Sequence, residues 1–333
     1  MHRSVFLSLF TLTLIGCDAH SQYLPESTAL APDKVRAIAA TVEQRYSNLS
    51  ADQRESVLRT VVRSLDDMVF IEGGEFDMGD FGWPCDRALT DLCEWPCGVP
   101  LDQLCVITEN MEDSGVHPVR LSNFHLSRYQ TRLGDFDLFQ VIHGKPLSSA
   151  EYRDSEQMQE YFAPDKPAPT RYWQEAKDYC LWLGELSGAP VDLPSEAQWE
   201  FAARNRGKHV IYPTDTGTLD FGRNYPPRED DWQGITHPVG SFAPNPLGLY
   251  DMAGNAKDWV NDWYDPDYYP NSPLDNPKGP ETGFYKIMRG FGLNEGEVIR
   301  ANTVIRWPEA PDQTGYSEYA SFRCSVQSEH PLK

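Results

Sequence analysis

Twenty-four glycines and 26 prolines in 333 residues punctuate this chain too often for long helices or wide regular sheets. Turns and irregular segments must carry much of the backbone. The length suits one large domain or two small ones and can bury a sizeable core. With 40% hydrophobic residues and nine tryptophans, the composition is that of a folded protein. Lys and Arg number 29 against 50 Asp and Glu, a net charge of −21. Binding to a phosphate backbone needs a basic footprint, so nucleic acid is excluded as a partner. An acidic surface suits Ca²⁺ or a basic protein instead.

The N-terminus reads MHRSVFLSLFTLTLIGC. Its apolar run is too short to span a bilayer and fits the core of a signal peptide over residues 1–17. Leu14-Ile15-Gly16-Cys17 resembles the lipobox of bacterial lipoproteins. The resemblance implies cleavage before Cys17 and acylation of that residue, which anchors the protein to a membrane. Asp18 then implies retention on the inner membrane, facing the periplasm.

In that oxidising compartment the other six cysteines, an even number, read as disulfides. Cys85, Cys93, Cys97 and Cys105 crowd one segment. They would form two local disulfides or a zinc site; the missing C-x₂-C pair favours disulfides and leaves the connectivity open. Cys180 and Cys324 stand far apart.

Residues 18–31 read as a tether. Val35, Ile38, Val42 and Tyr46 recur at helical spacing, and Ser50 with Gln53 forms a capping box ahead of Val57, Leu58, Val61, Val62 and Leu65. A helical hairpin over 33–65 follows, its apolar stripe docked on the main domain. MVFIEGGEFDMG (Met68–Gly79) predicts two short strands around Gly73-Gly74. A Cys-rich insertion occupies 80–115. HPVRLSNFHLSRYQTRLGDF alternates as strands do. Trp173–Leu186 predicts an amphipathic helix, and the Ser195/Gln198 capping box opens another. Turns dominate after Asn205. No repeat is visible. The fold class is α+β with much irregular structure: a tether and hairpin over 18–66, then one domain over 67–333.

The segments MVFIEGGEFDMG, VDLPSEAQWEFAAR, GLYDMAGNAKDW, DWY, MRGF and FRC occur in this order. Together they resemble the sulfatase-modifying-factor family, the formylglycine-generating enzymes, whose fold is related to the C-type lectins. That family is held by Ca²⁺ and disulfides. The resemblance implies one calcium site from the side chains of Asn224 and Asp230 with the carbonyls of Tyr225 and Trp232. It implies a second around Asn255 and Asp258, with carbonyls from Ala253, Gly254 and Ala256. Hard Ca²⁺ takes six to eight such oxygens. The family reads Asn-x-Trp-Glu-Trp at the second site, where this chain has Asn255-Ala256-Lys257-Asp258-Trp259. The resemblance also implies a Cys180–Cys324 bridge.

Formylglycine formation uses a cysteine pair that binds copper. Aligned without gaps between Arg289-Gly290 and Phe322-Arg323-Cys324, this chain places Glu295 and Arg300 at those two positions. Phe291 and Gly292 replace the motif's glycine and serine. Ile305 and Ala203 stand where vertebrate enzymes carry a further bridge. No thiol lies between Cys180 and Cys324, so copper–thiolate oxidation is not expected. The eight histidines form no H-x₃-H or HExxH pattern; His117 and His125 flank one strand. The stretch Gly248–Asp265 then reads as scaffold, burying Trp259 and Trp263. The expected function is a non-catalytic periplasmic binding lipoprotein, resembling the immunity partners of lipase effectors delivered by type VI secretion. Its partner surface would lie around Phe291, Asn294, Glu295 and Arg300 and on the Cys85–Cys105 insertion. The alternatives are an oxidative enzyme of the pyoverdine-maturation-like branch and an accessory factor in envelope assembly.

Overall fold

The computed structural model describes residues 24–108, 115–228, 236–292, 298–312 and 320–332. In chain order its elements are α1 (Pro32–Arg45), α2 (Ala51–Asp66), β1 (Met68–Ile71), β2 (Gly74–Met78), β3 (Trp83–Pro84), β4 (Leu104–Cys105), β5 (His117–Leu121), β6 (Phe124–Ser127), α3 (Leu133–Ile142), α4 (Ala150–Arg153), α5 (Trp173–Ser187), β7 (Val191–Asp192), α6 (Glu196–Ala203), β8 (Lys257–Trp263), β9 (Lys286–Arg289), β10 (Trp307–Glu309), β11 (Ala320–Phe322) and β12 (Ser325–Val326). This is the expected α+β architecture.

Both capping boxes form. Ser50 Oγ accepts from Gln53 N at 3.2 Å while Ser50 N donates to Gln53 Oε1 at 3.0 Å, and Ser195 with Gln198 does the same at α6. Each satisfies two helix-end donors and sets where the helix begins. The strands of Met68–Gly79 divide at Gly73, where a Cβ would meet the Leu121 carbonyl oxygen at 2.0 Å; only glycine lets the two backbones approach so closely. One expectation needs correcting. The strand pattern read through Phe136 ends at Ser127, and Leu133–Phe136 opens α3. Alternation over so short a run does not separate a strand from a helix start.

Among the described residues two four-stranded sheets form, with orders β1-β6-β12-β7 and β10-β9-β8-β11. β8 pairs parallel with β11 and antiparallel with β9. The strands β2-β5 and β3-β4 form separate pairs. The hairpin docks on the main domain. Val35, Ile38, Val42, Val57, Val61 and Leu65 share one buried cluster with Tyr179, Trp182 and Leu183 of α5. Tyr46 Oη accepts from Trp182 Nε1 at 2.8 Å. A second cluster lies between β2, β5, β6 and α6. A third gathers Phe81, Trp83, Ile107, Ile211, Tyr212 and Phe291.

Three disulfides join Cys85 to Cys105, Cys93 to Cys97, and Cys180 to Cys324. The four clustered cysteines therefore pair with one another, and the zinc alternative falls because no thiolate among them is left for a metal. Cys180–Cys324 ties α5 to the end of β11 across 144 residues. Among the described residues no helix is long and apolar enough to cross a membrane. Cys17 and the signal segment lie outside the described residues.

Candidate functional site

The centre of the domain is a buried network of charges. Glu196 and Glu200 are four residues apart on α6 and so share one face of it. Glu196 accepts from Arg289 Nη1 at 2.8 Å and from Arg306 Nε at 2.8 Å. Glu200 accepts from Gly79 N, Arg204 Nη1 and Arg289 Nη2, each at 2.9 Å. Both glutamates and all three arginines are buried. Burial alone would raise Glu196, but Arg306 and Arg289 outweigh it and hold the carboxyl below its usual range. Burial likewise disfavours the Arg289 cation, and Glu200 and Glu196 more than offset this. Asp258 of β8 takes Arg323 Nε at 2.7 Å and Trp199 Nε1 at 2.9 Å. The network fastens α6 to β9 and to the 303–306 segment, and β8 to the end of β11. In a chain this rich in turns, the glutamate–arginine pairs join α6 to β9, which no sheet does, and Asp258–Arg323 reinforces the β8–β11 pairing.

Beside it, Asp262 Oδ2 accepts from Glu196 N at 2.8 Å. Burial, then repulsion from Glu196, pushes this carboxyl up to about 7. Lys286 lies between the rings of Trp173 and Trp263, 3.9 and 4.0 Å from their centroids. Its ammonium donates to the Asn261 carbonyl at 2.7 Å, and burial lowers it to about 8.

The residues expected to bind calcium are placed as follows. At the first site, Asn224 Oδ1 accepts from Asp220 N at 2.7 Å and Nδ2 donates to Asp215 Oδ1 at 2.8 Å. The Tyr225 carbonyl accepts from Gly222 N at 2.7 Å. Asp230 and Trp232 lie outside the described residues. At the second site, Asn255 adopts φ 72°, and its side chain pairs with both backbone groups of His237, at 2.8 and 3.0 Å. The Ala256 carbonyl accepts from Gln130 Nε2 at 2.6 Å. Asp258 is engaged by Gln130, Trp199 and Arg323. The side-chain oxygens named for this second site are thus used by protein N–H donors, with Arg323 supplying the positive charge a cation would bring. Asp258, ion-paired with Arg323, is the member of this set that does not fit a calcium cage. Among the described residues no three His, Cys, Asp or Glu side chains converge as a metal site. A small cavity instead borders Asn224, Tyr225, Asp251, Gly254 and Asn255 together.

The region aligned with the family's cysteine pair is one wall of the third cluster. Phe291, expected to meet a partner, is fully buried and packs on Trp307, with ring centroids 6.3 Å apart. An apolar ring directly after β9 is drawn into the core, so it supports the wall from beneath. Arg300 is exposed, and Asn294 and Glu295 lie outside the described residues. The Cys-rich insertion packs on the same cluster through Leu89, Cys93, Trp95 and Cys97, beside Val298 and Trp307. The insertion and the segment from Val298 therefore border one cluster. Trp95 stacks on His209, centroids 3.7 Å apart. What this wall shows to solvent includes Leu92, 69% exposed, and Ile299, 46% exposed.

The sequence reading missed Asp80, which fixes the base of the insertion. Its carboxylate accepts from Gly82, Ile107 and Thr108 amides at 2.7–3.0 Å. No local pattern marks it, since two of those partners lie more than 25 residues away. It also missed the Glu196–Glu200 network, for which the i, i+4 carboxylates on a buried helix that is apolar apart from Gln198 were a signal. His117 and His125 do not meet. His117 tilts against Tyr269 and His125 against Phe70, on strands of different sheets.

Comparison with known proteins places these features in a lineage. The Thermomonospora curvata formylglycine-generating enzyme is 33% identical over 182 residues, covering 49% of this chain and 56% of that protein. The mouse protein named inactive C-alpha-formylglycine-generating enzyme 2 is 34% identical over 179 residues, 48% of each. This chain thus spans about half the length of these curated relatives. The solved structure of PvdO from Pseudomonas aeruginosa superposes with a TM-score of 0.60 at 25% identity, covering 78% of this chain and 94% of that one. The model of the sulfatase-modifying factor enzyme 1-like domain matches residues 53–326, and the chain belongs to that family.

Proposed function

We propose that the protein is a non-catalytic member of this family, a lipid-anchored protein facing the periplasm that neutralises a toxic partner, a lipase effector, by binding it. The observation that carries this reading is the fate of the cysteines. Six of the seven are committed to disulfides, and none lies between Cys180 and Cys324, where the family's copper-binding pair belongs. A relative named as inactive lies within the same family. The binding wall is the exposed edge around Leu92, Ile299 and Arg300, with Glu295 and Asn294 beside it in sequence. The cross-linked insertion loses little entropy on docking. The acidic chain speeds encounter with a basic partner, and that on-rate falls with salt. Calcium bound through Asn224 and Asp230 belongs to the same reading as a structural ion.

The test is a pull-down with any lipase effector found encoded beside this gene, followed by a lipase assay with increasing amounts of this protein. Full inhibition at one equivalent, weakened by Arg300→Ala or Glu295→Ala in folded protein, is the expected result. Turnover of any substrate that is lost in Glu295→Ala would instead establish the enzyme alternative. That second reading has in its favour the extended match to proteins named formylglycine-generating enzyme.

A further inference from the structure

Between the β5–β6 turn, the start of α6, the 276–278 loop and the C-terminal segment lies a cavity of about 240 Å³. It shares no residue with the wall proposed for a protein partner. A water takes up about 30 Å³ of liquid, so the space equals roughly eight waters. It falls short of the roughly 300 Å³ at which pockets for drug-sized ligands begin. One small ring matches it.

Three carboxamides line this cavity, from Asn123, Asn261 and Asn276, and each is fixed by two hydrogen bonds to the protein. Asn123 Oδ1 accepts from Gly73 N at 2.9 Å, and its Nδ2 donates to the Glu329 carbonyl at 3.0 Å. Asn261 Oδ1 accepts from Lys177 Nζ at 3.0 Å, and its Nδ2 donates to Asp192 Oδ2 at 3.4 Å. Asn276 Oδ1 accepts from Ser122 N at 2.8 Å, and its Nδ2 donates to Ser122 Oγ at 3.3 Å. A carboxamide has two N–H groups and two lone pairs. Each of the three therefore keeps one donor and one acceptor, in a plane the protein has already set. The loop that carries Asn276 is itself held. Arg120 donates to both carboxylate oxygens of Asp275 at 2.5 and 3.2 Å, and Asn276 N donates to the Arg120 carbonyl at 2.8 Å.

The charges around the cavity cancel. Asp192 is engaged by Lys177 Nζ at 2.6 and 2.8 Å. Lys278 and Glu329, the other charged side chains that line it, are of opposite sign and exposed. Apolar surface comes from Leu121, Leu193 and Pro277, all buried.

We infer that this cavity is a binding site for a neutral saccharide, which it takes one pyranose unit at a time. A pyranose has a face of C–H groups and an edge of hydroxyls. Each hydroxyl both donates and accepts, which is what a half-used carboxamide offers in return. The C–H face rests on Leu121, Leu193 and Pro277, apolar surface that water solvates poorly. A charged ligand gains no net attraction here. The amides are already oriented, so they lose little freedom when the sugar docks.

Saturation-transfer NMR on the intact, disulfide-bonded protein tests this, with the methyl pyranosides of glucose, galactose, mannose and N-acetylglucosamine as probes. At least one should bind saturably with a Kd of about 1 mM, the strength of one small ring. Binding should persist near 1 M salt, where charge interactions are screened beyond about 3 Å. Asn276→Gly removes one amide at an exposed position whose φ of 46° glycine adopts freely, and Asn261→Ala removes another. Each should weaken binding about tenfold, with urea unfolding to verify that the variants are folded. Disaccharides carrying the bound unit at one end distinguish the sources: a site for a free sugar excludes them, and a site for a glycan end accepts them. The inference is overturned if no probe saturates at tens of millimolar, if neither variant weakens binding, or if glucuronate or glucose 6-phosphate binds more tightly than the neutral sugars. A peptide site would show itself by N-acetylglycinamide binding as well as the sugars do, and that result would overturn it too.

Discussion

Removing the Glu200 carboxylate should be among the most damaging single changes outside the disulfides. Glu200 is fully buried and accepts from Gly79 N, Arg204 and Arg289. Glu200→Ala leaves two buried guanidiniums with one carboxylate fewer and one buried amide without its acceptor. Losing one partner of a buried ion pair costs about 3–5 kcal/mol. Arg289 keeps Glu196 and the Thr303 carbonyl, and Arg204 keeps the carbonyls of Asp77 and Lys208. Those residual contacts place the loss near the lower figure, about 3 kcal/mol. With an unfolding entropy of about 2.1 cal/mol/K per residue, that is a fall in Tm of roughly 5 °C. Urea unfolding with disulfides intact, read by tryptophan fluorescence, gives the free energy directly. The control is Glu55→Ala, which breaks the exposed i, i+4 pair with Arg59 and should cost only about 0.3–0.5 kcal/mol. If both variants lose the same amount, the buried network does not hold α6 to β9 and the reasoning is wrong.

Replacing Cys180 and Cys324 together by alanine opens a loop of 144 residues, so stability should fall by about 5 kcal/mol on the chain-entropy account; an unchanged urea midpoint would refute it. Asp262 titrates near 7 in the folded chain and near 4 unfolded. The folded state therefore holds the extra proton between those values, and stability falls as pH rises through that window. Asp262→Asn should flatten the slope, and an unaltered pH profile of urea midpoints would exclude the assignment. Elemental analysis after dialysis should find calcium at no more than one equivalent and no copper, because Asp258 already pairs with Arg323; two equivalents would show that Asp258 leaves that guanidinium for a cation.

The sequence by itself determined what depends on near neighbours. Two capping boxes fixed the starts of α2 and α6, because the donors they satisfy lie three residues away. Hairpin periodicity named the residues that are buried. Gly73-Gly74 marked the break between β1 and β2. The ordered motifs from Met68 to Cys324 gave the family. Tertiary structure alone decided what depends on residues far apart in the chain. It paired Cys85 with Cys105 rather than with a nearer cysteine. It buried Phe291, which local sequence cannot distinguish from an exposed binding residue. It brought Arg323 to Asp258 across 65 residues, a counter-charge for the carboxylate that the family resemblance assigned to calcium. It also fastened Ser27 to Asp66, 39 residues on. A buried charge must find its counter-charge wherever the chain supplies one, and that partner is set by the packed fold, not by spacing along the sequence.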